Sequence, residues 1–372
     1  MASPMNDQET TFIPCSELER FMIEALMKLG VTQNDAETCA RITLLASKRG
    51  IDSHGVERFK AFYYDRIKNG IVEAVSKPEI IRETPTTAVI DGHNGMGHTI
   101  GSFAMNLAIQ KAKNYGLGMT VVRNSTHYGI AGYYTELAIK ENMIGMTGTN
   151  ARPAIAPTFG AENMIGTNPI AFGMPTDEDF PLIFDAATSL AQRGKIEKHA
   201  RENKPLPEGW VINGQGKIIT DPHEALTGLT NGTCALTPIG GIGTTFGGHK
   251  GYGLATIVEV LSSALQQGSF LTSLTGIEDG KQVPFRIGHF FIAFDINAFV
   301  EPEKFKKTTG DILRALRASK KLPNQDRIYT PFEIEHETEN KRLLSGIPLK
   351  QPTIEQLQQI AKDCTIRFNV NL

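Results

Sequence analysis

Cysteine is scarce in this chain, four in 372 residues. Cys15, Cys39, Cys234 and Cys364 stand far apart, so no pair has metal-ligand spacing, and free thiols in a reducing compartment are expected. An excess of one charge is also missing. Lys and Arg number 38 against 40 Asp and Glu, a formal charge of -2, with no basic block to track phosphates, so no nucleic-acid partner is expected. No apolar run reaches bilayer-spanning length, so no membrane association is expected. The opening MASPMNDQETTFIP lacks the charged-then-apolar order of a signal peptide. A cytoplasmic protein is the expectation, with the sequons at Asn124 and Asn231 as chance matches. There is no His-Glu-x-x-His and no helical His pair, so no metal is expected. Ser53, Ser125 and Ser189 lack the context of a nucleophile elbow.

What is present is an ordinary globular composition, 40% hydrophobic and 21% charged, at a length that suggests about two domains. Apolar residues Leu18, Phe21, Met22, Ala25, Leu26 and Leu29 recur near a 3.6 period, which predicts a helix over 17–30. Helices over 35–48 and 56–69 are expected to follow. Strand and helix patterns then alternate from about residue 87, which argues for an α/β domain. The expected division is a helical domain of residues 1–76 with about 245–275, an α/β domain of 77–244 with about 280–335, and a C-terminal extension, 336–372, carrying a helix. The Lys/Arg-rich stretch from Lys304 to Lys321 reads as the solvated face of a helix.

Two glycine loops invite a nucleotide reading. Gly92 to Gly101 follows a strand and opens a helix, but Gly95, Gly97 and Gly101 are one residue out of dinucleotide-fold spacing. Arg123 and Asn124 end the next strand where an acidic ribose partner would stand; the alternative is a turn whose glycines serve close packing. Gly240 to Gly253 is richer. Lys250 lacks the Ser/Thr that would follow it in a P-loop, so nucleotide hydrolysis fits poorly. Exposed N–H groups, a lysine and a following helix would still hold an anion such as pyrophosphate. A glycine loop with no ligand is the other reading.

Hydride transfer to a carbonyl needs a proton donor, and histidine titrates near working pH. His54 sits in Ser53-His54-Gly55 with Arg58 one turn on, where a guanidinium would clamp a carboxylate. A helix cap and a surface arginine explain the same spacing. His127 follows an apolar strand at the kind of strand end where α/β sites form.

Seven runs in order resemble one family. They are Lys48 to Val56, Asn124 to Tyr134, Gly166 to Gly173, Asp185 to Ser189, Arg193 to Ile196, Pro207 to Trp210 and Gly247 to Ala255. Together they resemble the non-Rossmann malate/L-lactate dehydrogenase family, which also contains ureidoglycolate dehydrogenase, diketogulonate reductase, sulfolactate dehydrogenase and a cyclic-imine reductase. The resemblance runs from about residue 15 to about residue 345. It implies an α/β fold: a non-Rossmann α/β cofactor domain plus a discontinuous helical domain. It implies an NAD- or NADP-dependent oxidoreductase acting on a small carboxylate substrate, commonly as a homodimer. It makes His54 and His127 the catalytic candidates, one of them the acid/base. Ser53, Arg58 and Asn150 become substrate contacts. Asn168, Asp185, Ala186, Ala187, Gly248, His249 and Lys250 become cofactor contacts. Phe62 departs from the family's tyrosine, with Tyr63 next door, and His98 replaces an expected polar residue. Malate is the expected substrate, with Arg58, Arg152 and Lys250 as positive groups. Lactate, ureidoglycolate or a cyclic imine are alternatives. A non-catalytic NAD(H)-binding regulator is an alternative of another class.

Overall fold

A computed structural model describes residues 10–370. Its centre is a seven-stranded sheet in the order Glu79–Glu83, Thr87–Asp91, Leu117–Ser125, Ile287–Asp295, Met143–Thr149, Ile170–Met174, Leu182–Ala186. Thr87–Asp91 and Leu117–Ser125 run parallel; every other neighbouring pair is antiparallel. A dinucleotide-binding fold of the doubly wound kind needs a mostly parallel sheet, so this mixed α/β architecture is not one.

Strand Ile287–Asp295 enters between two strands far earlier in the chain. Successive side chains on a strand face opposite ways. Phe291 packs with Ile100, Ala104, Met105 and Ala108 of helix Gly97–Tyr115, and Phe290 packs with Val121, Ile170 and Val258. Val258 belongs to helix Gly248–Leu261, whose Leu254 and Leu261 also reach that face. On another face of the same helix Ala255 packs with Ile155, Ile165 and Leu236, outside the central sheet.

Helices Cys15–Lys28 and Gln33–Lys48 build a second core with helix Gln351–Cys364 and the strand pair Thr10–Ile13 and Ile347–Lys350. Leu18, Phe21, Met22, Ala25 and Leu26 are all buried in it, as their spacing requires. The continuous helix expected over 56–69 is instead three pieces. A 3-10 turn, Val56–Arg58, leads into a π-helical turn, Phe59–Tyr64, and then into Asp65–Lys68. The basic stretch near residue 304 is a surface helix, Pro302–Arg317, and Lys306, Lys307 and Arg314 on it pair with Glu303, Asp311 and Asp177.

Candidate active site

The Ser53-His54-Gly55 loop follows helix Gln33–Lys48 and is anchored from the far end of the chain. Helix Glu333–Ser345 supplies Arg342, which donates to Asp52 at 2.5 and 3.1 Å, and Glu339, which accepts from Arg49 at 2.9 Å. Arg49 also pairs with Glu136. These partners fix the turn Asp52–His54. Ser53 Oγ then lies 3.0 Å from His54 Nδ1, and Arg58 Nε donates to the Ser53 carbonyl at 3.0 Å.

His127 arrives from the end of strand Leu117–Ser125. The first glycine loop props it from beneath. Gly97 N–H donates to Thr126 Oγ1 at 2.9 Å, and a Cβ on Gly97 would sit 2.2 Å from the Thr126 carbonyl oxygen. Arg123 faces Asp91 at 2.8 Å, so it is already neutralised and does not wait for a phosphate. The close-packing reading of this loop is therefore the one the structure shows.

The two imidazoles meet. Their ring centroids are 5.5 Å apart at 25°. Tyr63, on the π-helical turn, brings its hydroxyl to 2.9 Å from His127 Nδ1, and Gly129 N–H donates to the same nitrogen at 3.4 Å. The Phe62 ring contacts His127 edge-on at 5.3 Å. Both histidines are held neutral. Burial lowers His54 to about 4, helped by the Arg58 charge, and burial with the neighbouring His54 pushes His127 well below its usual value. The Tyr63 hydroxyl is pushed well up by burial, so it stays protonated.

Sequence reading missed Tyr63 as a functional group, although its place beside Phe62 was the available signal. It also missed Glu259. This buried carboxylate accepts from Asn168 Nδ2 at 2.6 Å, from Asn150 Nδ2 at 3.5 Å and from Leu271 N–H at 2.9 Å. Burial raises its pKa. Asn150 and Asn168 are themselves fully buried and committed to protein groups. Asn150 Oδ1 accepts from Gly288 N–H at 2.8 Å, and Asn168 Oδ1 accepts from Ala151 N–H at 3.1 Å. Their side chains join strand, helix and loop backbone around Glu259.

The segments expected to hold cofactor adjoin one another. Ala186 pairs with Ile170 across the sheet, beside Asn168, and Thr188 accepts from Ile239 N–H at 2.8 Å at the start of the second glycine loop. Exposed Asp185 accepts from Gly132 N–H at 2.7 Å, which ties this strand to the His127 region; Ala187 follows, half-buried. Helix Gly248–Leu261 begins at the loop's end, and His249 and Lys250 stand exposed in its first turn. The loop folds tightly, since a Cβ on Gly248 would meet the Gly241 carbonyl oxygen at 1.9 Å. A cation at a helix start behind a tight glycine turn suits a pyrophosphate, so the residues present fit a nicotinamide dinucleotide. No group of His, Cys, Asp and Glu among the described residues is arranged to hold a metal, all four cysteines are free thiols, and no described helix is long and apolar enough to cross a membrane.

The family model for malate/L-lactate dehydrogenase matches residues 13–358. The chain belongs to the malate/L-lactate dehydrogenase family. It is 41% identical over 96% of both chains to a malate dehydrogenase of Pyrococcus horikoshii. It is 35% identical to a malate/(S)-sulfolactate dehydrogenase of Methanothermus fervidus, over 95% of this chain and 98% of that one. A solved malate dehydrogenase of Entamoeba histolytica superposes with a TM-score of 0.93 at 44% identity, over 96% of this chain and 99% of that one. As a member of this family the chain is a nicotinamide-dependent oxidoreductase acting on the CH–OH group of a small 2-hydroxy acid.

Proposed function

We propose that the enzyme interconverts malate and oxaloacetate, using NAD or NADP, as a cytoplasmic homodimer. The observation that carries the chemistry is the convergence of His54, His127, Tyr63 and Arg58 from two distant stretches of chain. Relatives named malate dehydrogenase over the whole chain length support the substrate.

In this reading Arg58 holds the substrate carboxylate: its Nε stays on the Ser53 carbonyl, and its long 3.3 Å contact with Glu197 gives way to the substrate. His127 is the acid/base. Its Nδ1 faces a hydroxyl that is able to donate or to accept, so the ring keeps its partner in the neutral and the protonated form. That leaves Nε2 for the substrate oxygen. His54 packs on the ring, and its own Nδ1 is held by Ser53. Burial holds both imidazoles neutral, and an arriving carboxylate raises their pKa. The proton thus enters with the anion and is delivered to the 2-oxo oxygen on reduction. The nicotinamide, when bound, supplies the hydride donor or acceptor. Lys250, His249 and the Gly248 turn hold its pyrophosphate, and Asp185, Ala186 and Ala187 border it. Asn150 and Asn168 are positioning residues.

The test is turnover followed at the NADH absorbance band. Oxaloacetate, pyruvate and a cyclic imine are each tried with NADH and NADPH. Oxaloacetate turnover is expected, abolished or cut at least about 100-fold in His127→Ala, the range for a lost acid/base. Cofactor binding without turnover of any of the three would mark a regulator. Near-normal rates in both His54→Ala and His127→Ala would overturn the site.

A further inference from the structure

We propose that Arg66 and Arg152 form a distal anion subsite that takes the second acidic group of the substrate, a carboxylate or a sulfonate, and so sets preference for diacids over monoacids. This rests on the dehydrogenase reading above and adds the groups that choose among its substrates.

The cations around the imidazole pair are not alike. Arg58 and Arg193 share Glu197, at 3.3 and 3.1 Å, and Lys60 is held by Asp65 at 2.8 Å. Arg66 and Arg152 have no carboxylate partner among the described residues, yet they line one cavity of about 280 Å³ with Asn69, Gly276 and Phe285. Asp65 also borders that cavity, but its charge is spent on Lys60. Two like charges facing one hollow repel each other, and an anion between them removes that cost.

Arg66 is also held in place. Its guanidinium lies 4.4 Å from the Phe62 ring centroid and 4.3 Å from that of Phe285. Such stacking satisfies the faces of the guanidinium and leaves its N–H edges for a planar or tetrahedral oxyanion. Burial, with the Arg152 charge adding to it, brings its pKa down to about 10. It remains a cation at neutral pH, held there without a counter-charge.

Position links this cavity to the reaction. Phe62 touches His127, and Arg58 lies 5.4 Å from the same Phe62 ring on which Arg66 stacks. The two guanidinium carbons are therefore no more than 9.8 Å apart, the sum of their distances to one ring. That limit matches the span of a four-carbon diacid held between two guanidinium groups, so a diacid gripped at one end by Arg58 would present its second acid to Arg66. A three-carbon monoacid leaves Arg66 and Arg152 unanswered.

The experiment uses the full chain with saturating nicotinamide cofactor and two variants, Arg66→Gln and Arg152→Gln, each checked for unaltered thermal unfolding. Oxaloacetate, 3-sulfopyruvate and pyruvate are compared by kcat/KM. Because a site built for a charged group rejects analogues strongly, each variant is expected to lose about 100-fold on both diacids and no more than about threefold on pyruvate. Equal losses on diacids and pyruvate, or no loss on the diacids, overturn the subsite. A second readout is independent of turnover: succinate, which cannot react, should raise the unfolding temperature of the parent and not of the variants, while butyrate raises neither. If the parent turns over no 2-oxo acid but shows this succinate pattern, the dehydrogenase reading falls and the subsite stands. If oxaloacetate is turned over and succinate protects parent and variants alike, the subsite falls and the dehydrogenase stands.

Discussion

Tyr63 Oη lies 2.9 Å from His127 Nδ1, across a sequence separation of 64 residues. The ring of Tyr63 also packs edge-on against His98, with centroids 4.6 Å apart, so the hydroxyl is aimed by a buried neighbour.

Tyr63→Phe keeps the ring and deletes only this contact. One hydrogen bond to an ionising group is worth about 1.5–3 kcal/mol, so kcat should fall by roughly 10- to 150-fold. Cofactor affinity should hold. The pKa seen in the kcat profile should also fall, because the protonated imidazole loses its acceptor. Steady-state kinetics across pH reads both effects. An unchanged pH profile would mean that the hydroxyl serves packing alone.

Acid should weaken the fold early. His98 and His289 are fully buried, and burial lowers each to about 3 from 6.5. His289 sits between Ser125 and Thr149 hydroxyls at 2.8 and 2.7 Å. A depressed histidine takes up its proton in the unfolded chain before it does so in the folded one. Stability is therefore full above pH 6.5 and falls as pH drops toward 3, by about 1.4 kcal/mol per pH unit for each such residue. Denaturant unfolding at pH 7.5, 6 and 5 measures it. A flat curve between 6 and 5 would contradict the neutral assignment of both rings.

Glu259→Ala removes the acceptor that Asn150 and Asn168 share. Buried donors left without partners cost about 1–3 kcal/mol each, so a drop of several kcal/mol in unfolding free energy is expected. Glu259→Gln retains one acceptor oxygen and should lose less. Comparable losses in the two variants would show that both carboxylate oxygens are needed as acceptors, since Gln keeps the volume of Glu.

Gly248→Ala places a methyl group 1.9 Å from the Gly241 carbonyl oxygen, with backbone on the other side. The loop must open to admit it. The cofactor KM should rise by tenfold or more, the equivalent of about 1.4 kcal/mol, while the oxaloacetate KM changes little. Equilibrium titration of NADH fluorescence gives an independent value. Normal cofactor affinity in this variant would remove the second glycine loop from the proposed binding site.

The helices were legible wherever one face alone is apolar. Helix Cys15–Lys28 and helix Pro302–Arg317 follow directly from the spacing of their buried residues. Helix Glu333–Ser345 was not legible, because only Glu333 on it is buried and its role is ionic, through Glu339 and Arg342. The short strands Thr10–Ile13 and Ile347–Lys350 were missed for a related reason: each is a strand only because the other lies beside it. In the first glycine loop, spacing alone left open whether the glycines serve a phosphate or a neighbouring chain. Contact with Thr126 decided for the neighbour.

The order of residues by itself determined the family, the mixed α/β class and the histidine and arginine candidates, since these depend on local pattern and on motifs read within a few residues. Tertiary structure alone decided which groups touch. The π-helical turn Phe59–Tyr64 shifts side-chain directions away from α-helical spacing, and that shift turns Tyr63 rather than Phe62 toward His127 Nδ1. No periodicity announces such a turn; Phe59, Tyr63 and Tyr64 on it are buried in the same core as Val56 before it and Ile67 after it, so packing from both sides holds it.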